Sequence, residues 1–446
     1  MVASRLQTNR ERPAWQNLDS GQLVLLGAAG TLIVAAVGSV AANGGPDEPT
    51  PAVIFGVLIA LGELFRMNMP GGREVAPIST AGALGYGMLM SVATEQVSYS
   101  ALQVVAVTTA GMLAGSLPHV AVGRSPRLDA MARRLVVAAI VAFLFRPLTG
   151  LLFDGSLSHG EWWAALALMS GVAFAAFSVD MTIAATIRAE TVRARFGIAF
   201  KDEFHAGILL NCATAATGML IAVATSVMGL AALLLFTAPI LTTQFAFRRF
   251  AAVRTTYLQT VRALSRVTEV GGYVETGHSR RVSKLSVAMG RELGMTEAEL
   301  LELEYAALMH DIGQLSLPDP IPGGATVLAS PAEQARIAEL GAAVVEQTGV
   351  LDRVARLVRR QSDPYRSAPA GDEAAVKPPP LAARIIKAAN AYDDLVGDSP
   401  DRDRSAAVLE RLRLDSVSEY DPAVVEALGR VLDRLSFVTR TAHRRL

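Results

Sequence analysis

Cysteine is all but missing from this 446-residue chain. Cys212 stands alone, so no internal disulfide can form and a cysteine-rich metal framework is excluded. Basic charge is carried almost wholly by arginine. Charged residues are scarce before about position 248 and frequent after it, so the formal net charge of zero sums two unlike halves. In the second half no run alternates convincingly between apolar and polar residues, which argues against strands there. A DNA-reading motif is also absent, and DNA is not expected as a partner. Histidine is limited to six residues, and none lies between His310 and His443.

What is abundant is apolar sequence, at 51% of the chain. Runs long enough to cross a hydrocarbon core of about 30 Å begin near Leu23, Ala52, Ser79, Ala101, Leu135, Trp162, Ala206 and Ser226. They predict a polytopic helix bundle of about eight spans over residues 21–247, behind a tail at 1–20. The first run follows Arg5, Arg10 and Arg12 in the manner of a secretory signal, but the further spans argue against cleavage. Arginine and lysine sit before the first span and after the second, fourth, sixth and eighth. The loops NGGPDEPT, EQVSYS and DGSLSHGE hold neither. This bias predicts a multi-pass protein of the inner or plasma membrane, in contact with lipid, with both termini cytoplasmic.

Inside the spans, Gly111 and Gly115 have the spacing of close helix contacts. Trp162 and Trp163 fit an interfacial anchor. Glu63, Arg146 and Asp180 are the ionisable residues that matter, because charge in a span is costly and faces the bundle interior. They mark either a ligand or ion site, or, for Glu63 and Asp180, inner-interface residues that snorkel or pair with Arg66 and Arg188.

Beyond the bundle, Phe250, Val253, Tyr257, Leu264 and Val267 follow an approximate heptad, with Thr260 as the polar position. The connector at 248–271 is therefore expected to be one continuous helix, able to pair two chains as a homodimer. From Gly272 the chain reads as helices with clear breaks. Thr296 with Glu299, and Ser330 with Glu333, are capping boxes; Pro378, Pro379 and Pro380 precede another helix, and Asp421 with Pro422 opens the last. An all-α domain over 272–435 follows, with a basic tail at 436–446. Arg440, Arg444 and Arg445 there suit solubility or anionic headgroups.

The segments GHSRRVSKLSVAMGRELGM and LEYAALMHDIGQLSLPD resemble the HD superfamily of metal-dependent phosphohydrolases, and its HD-GYP branch, which hydrolyses cyclic di-GMP. The likeness runs on through ARIIKAANAYDDL. It implies a helical fold and His278, His310 and Asp311 as ligands of a divalent metal such as Fe or Mn, with Asp311 also in the catalytic role. Imidazole and carboxylate suit such ions and leave positions open for water and phosphate oxygens.

The sequence departs from that branch at several positions. RIAELGAAV and VRRQSDPYR stand where further histidines belong, and the Gly-Tyr-Pro signature is absent. Asn390 replaces the aspartate that completes the minimal site, offering a carbonyl oxygen without charge. Asp393 and Asp394 lie a turn beyond, where either could substitute if the helix rotates, with Asp394 the weaker metal or polar candidate, and Gln314 stands in place of a lysine. One ion is expected, or none. Arg359 and Arg360, with Gln314, are the candidates for gripping a phosphate. Three readings follow. The first is a membrane-anchored signalling protein that binds a cyclic dinucleotide, another nucleotide or a protein partner with weak or no hydrolysis. The others are an active mononuclear phosphohydrolase and a transporter with a regulatory domain.

Overall fold

The computed structural model describes residues 19–69, 73–93, 95–123, 126–153, 161–192, 195–321, 324–349, 351–366, 378–397, 401–416 and 418–443. The tail with Arg5, Arg10 and Arg12, together with Arg124, Arg193, most of the DGSLSHGE loop, Arg444 and Arg445, lies outside them, as does the side chain of Arg440. Two compact units divide the chain, at 1–251 and 252–446.

The first unit is built from α1 (Ser20–Ala42), α2 (Pro49–Leu64), α3 (Pro77–Gly87), α4 (Ala101–Ala121), α5 (Leu128–Leu152), α6 (Trp162–Val192), α7 (Phe196–Met228) and the first part of α8 (Ala232–Val270). Two short antiparallel hairpins flank α3: β1 (Met67–Met69) with β2 (Arg73–Val75), and β3 (Ser91–Val92) with β4 (Glu95–Gln96). Asp19 forms a capping box with Gln22 ahead of α1, and the Ser100 hydroxyl caps α4 by accepting from the Gln103 amide. Apolar side chains such as Val34, Phe174, Leu209 and Leu234 point outward.

Among the described residues, five stretches are long and apolar enough to cross a membrane: α1, α4, α5, Trp162–Thr191 and the 54-residue Phe196–Arg249. The eight expected spans are not matched one for one. The run near Ala52 gives a helix of 16 residues, and the run near Ser79 gives only the 11 residues of α3. Eleven residues rise about 16 Å, half a hydrocarbon core. All eleven are buried. Small residues make this enclosure possible: a Cβ on Gly62 would lie 2.2 Å from the Ser79 nitrogen, and one on Gly115 would lie 2.1 Å from the Ala60 carbonyl oxygen. Gly111 and Gly115 thus both meet α2, in keeping with their spacing.

The last stretch holds two helices of opposite direction. Along α7, Gly218 packs on Leu84 and the Thr225 carbonyl accepts from Ala93, whereas along α8 Leu233 packs near Tyr86 and Ile240 near Ile78. At the far end Gln244 and Arg248 both donate to the carbonyl of Phe65, which closes α2.

The charged residues find partners other than those their spacing suggests. Glu63 pairs with Arg134 at 2.6 Å, and Asp180 takes a forked contact from Arg133 at 2.8 Å. Arg66 turns to Glu74 and Arg188 to Glu203. The reason is local: α2 ends at Leu64, so the chain carries Arg66 into the hairpin, while α5 lays its arginine pair against α2 and α6. Arg146 donates to the Tyr86 carbonyl at 3.2 Å and lies over the Tyr99 ring.

The second unit is helical throughout: α9 (His278–Glu292), α10 (Glu297–Met309), α11 (Pro331–Glu346), α12 (Asp352–Arg359), α13 (Leu381–Val396), α14 (Arg402–Leu414) and α15 (Pro422–His443), with short 3-10 turns at Ile312–Ser316 and Thr326–Leu328. Both expected capping boxes form. Its core gathers Val282, Leu303, Ala306, Ile385, Ile386, Ala389 and Leu428. The part of α8 from Ala252 onward belongs to this unit and buries Val261 in its core, while Val253, Leu264 and Val267 stay exposed.

Candidate metal centre

Three chain segments converge at one end of α9. Gly277 adopts φ +83°, a conformation open to glycine, and so starts α9 with His278 as its first residue. His310 closes α10, and Asp311 begins the 3-10 turn that follows. That turn is pressed against α11 so closely that a Cβ on Gly313 would lie 2.0 Å from the Ile337 carbonyl oxygen. From the third side, α13 presents Asn390, Asp393 and Asp394, which share one helical face.

His278, His310 and Asp311 are almost wholly buried, and one ligand atom from each lies within 4.8 Å of the others. His278 Nε2 and His310 Nε2 are 3.3 Å apart; Asp311 Oδ2 is 3.1 Å from the first and 3.0 Å from the second. Asn390 Oδ1 joins them, 2.9 Å from His310 Nε2.

The protons decide what this cluster can hold. His310 Nδ1 faces the Ala307 carbonyl at 2.9 Å and His278 Nδ1 faces the Asp393 carboxylate at 2.8 Å, so each ring in its neutral form donates from Nδ1. Both Nε2 atoms then carry lone pairs. The Asn390 amide nitrogen donates to Thr326 Oγ1 at 2.8 Å, which aims its oxygen at the same point. With both rings neutral, two imidazole lone pairs, a carboxylate oxygen and an amide oxygen meet with no donor among them, and buried Asp311 Oδ2 faces only those lone pairs. Such a set suits a cation, and its outer partners fix each ligand's orientation.

Without an ion, protons take part of its role. Burial disfavours a charged His278, yet hydrogen bonds to Asp311 and Asp393 outweigh it and lift the imidazole to about 10. His310 is also raised, again against burial, chiefly by the charge of Asp311. Asp311 is held far below the usual carboxylate range: burial is outweighed by His310 and His278. Asp393 is lowered against burial by His278 and Arg281, whereas burial pushes Asp394 up to about 6.

The other candidates divide. Asp394 is buried behind the ligands, accepting from the Val327 amide at 3.0 Å, with Oδ1 3.7 Å from His278 Nδ1. Gln314 is buried near Gly324, its Oε1 without a partner. Arg359 is not brought to the centre; Glu339 and Glu346 hold it on the surface at 2.9 and 2.8 Å. Arg360 pairs with Asp363 at 2.7 Å. The next residue, Gln361, does reach the site, donating to the His310 carbonyl at 2.6 Å. Sequence reasoning missed Arg281 and Thr326, and it weighed Asp393 only as a substitute ligand beside Asp394, whereas its carboxylate faces His278 Nδ1.

Residues 272–424 match the family model described as HD domain. A 44-residue stretch is 43% identical to a cyclic di-GMP phosphodiesterase of Thermotoga maritima, covering 10% of this chain and 12% of that protein.

Proposed function

We propose that this chain is a membrane-anchored signalling protein whose HD domain holds one divalent ion through His278, His310, Asp311 and Asn390, and through it binds the phosphate of a nucleotide. Hydrolysis is slow or absent. The observation that carries the reading is the convergence of four ligand atoms, His278 Nε2, His310 Nε2, Asp311 Oδ2 and Asn390 Oδ1, which present only lone pairs when both rings are neutral. A bound divalent ion supplies Lewis-acid stabilisation of a phosphoryl group and acidifies water. The chain's own residues do the rest: Asp393 and the Ala307 carbonyl keep both imidazoles in the ligating tautomer, and Thr326 orients Asn390. The name of the bacterial relative makes a cyclic dinucleotide the first ligand to try.

The scarcity of further histidines supports one ion and argues against efficient turnover. Arg359 is also committed to glutamates, which removes one candidate grip on phosphate. The mononuclear hydrolase stands as second reading, because the ligand set and its orienting partners are intact in form. Metal content of the full chain in detergent, with turnover of cyclic di-GMP and simple phosphate esters, separates the two. Bound metal and ligand with negligible turnover is the expected result; stoichiometric metal with turnover lost in His310→Ala establishes the hydrolase instead.

For the first unit, outward aliphatic side chains support burial in lipid, since patches of this kind are unfavourable in water. We place eight crossings there, with α3 as a broken one completed by its flanking hairpins. Protein encloses α3 itself, whereas Glu95 and Gln96 of the second hairpin are exposed and belong at the membrane surface, where water meets their backbone. The transport reading finds less support, since Glu63 and Asp180 each spend their charge on an arginine of the bundle. The exposed stripe on α8 supports pairing of two chains, which a Leu264→Cys disulfide crosslink in membranes tests; no crosslinked dimer under oxidation counts against it.

A further inference from the structure

The Asp393 carboxylate lies between two residues of α9, one turn apart. Its Oδ2 faces His278 Nδ1 at 2.8 Å, while Arg281 sends Nε to Oδ1 at 2.9 Å and Nη2 to Oδ2 at 2.9 Å. The same guanidinium is anchored at its other edge, with Nη2 2.8 Å from Glu275 Oε2 and Nη1 3.2 Å from the Thr276 carbonyl. Arg281 thus ties α13 to the segment just before α9, across the back of the first metal ligand.

A single hydrogen bond from an imidazole leaves a carboxylate free to rotate about its terminal torsion. A fork from arginine fixes its plane. We propose that Arg281 is a positioning residue for the metal centre: by holding Asp393 in place, it keeps His278 in the tautomer that turns its Nε2 lone pair to the ion. This rests on the reading of the cluster as a metal site. Arg281 touches none of the converging ligand atoms and acts only through Asp393.

Two physical effects oppose each other here, which makes the sign informative. Losing the guanidinium loosens Asp393 and weakens binding, as loss of an outer partner commonly costs tenfold or more in metal affinity. Losing its positive charge near a cation site tightens binding. Lysine keeps the charge and lacks the fork, so it separates the two.

The test uses the full chain in detergent, stripped of metal, with Mn²⁺ affinity and the unfolding temperature of the metal-free protein as readouts. Arg281→Ala and Arg281→Lys are both expected to weaken Mn²⁺ binding about tenfold. In an Asp393→Asn background, Arg281→Ala is expected to give no further weakening. Arg281→Lys is expected to leave the metal-free unfolding temperature unchanged, which a merely structural arginine would not. If Arg281→Ala fails to fold, Arg281→Lys alone decides. Variants that bind Mn²⁺ as tightly as the wild type, or more tightly, overturn the assignment of Arg281 alone. A wild-type protein that takes up no Mn²⁺ overturns the metal reading and this assignment with it.

Discussion

At the scale of single residues, the centre departs from a fully anionic ligand set at Asn390. A neutral amide oxygen leaves one carboxylate and two imidazoles to offset a divalent charge, so affinity is limited by ligand charge count. Asn390→Asp is expected to tighten Mn²⁺ binding by at least about tenfold at pH 7, read by titration of the metal-free protein. Asp394, 3.4 Å from the Asn390 amide, is the residue that must adjust, and protonation lets it do so. An Asn390→Asp protein with unchanged affinity removes this position from the ligand set. The histidines make binding depend on pH. In the ion-free protein His278 is raised from its ordinary 6.5 to about 10, so the stabilisation from its proton is full below about 6.5 and is lost as pH rises through about 10. The ion must displace that proton. Apparent Mn²⁺ affinity should therefore climb by up to about tenfold per pH unit per proton displaced between pH 7 and 9. Chelator-buffered titrations check this, and a flat profile excludes a protonated ion-free state.

Among the elements, α3 falls furthest short of the length that hydropathy predicts. An apolar run reports burial but not what buries it, and the residues around Ser79 are enclosed by α2, α5 and α7 instead of lying along a full-length span. Glycines permit this enclosure where α2 meets its neighbours. Gly115→Ala forces a Cβ against the Ala60 carbonyl oxygen and should destabilise the bundle by about 1–3 kcal/mol. Gly171→Ala in α6, where nothing lies within 4 Å, should be neutral or slightly stabilising. Thermal unfolding of the two variants in detergent compares them directly. Equal unfolding temperatures would show that the α2–α4 contact is looser than its geometry. The arginine pair of α5 teaches the same lesson: Arg133 and Arg134 reach Asp180 and Glu63 because helices pack side by side, a relation that spacing along one helix does not encode.

For the whole molecule, the proposed topology puts the N-terminal tail and the HD domain on the same side of the membrane. Single cysteines at Ser4 and Ser418, in a Cys212→Ser background, should resist a membrane-impermeant maleimide in intact cells and react after permeabilisation. Labelling of either one in intact cells reverses or breaks the eight-crossing arrangement. The sequence by itself determined the helical class, the division into apolar and charged halves, the capping boxes of the second half and the residues His278, His310 and Asp311. Each of these is written in local periodicity, composition or a contiguous motif. Only the tertiary structure decided the length and enclosure of α3, the partners of Glu63 and Asp180, the surface position of Arg359, and the joining of Asp393 and Arg281 to His278. Those depend on separate segments meeting at a fixed angle, 47 residues apart for Arg133 and Asp180, 71 for Glu63 and Arg134 and 115 for His278 and Asp393. Such contacts are set by how helices pack, and no single stretch of chain contains them.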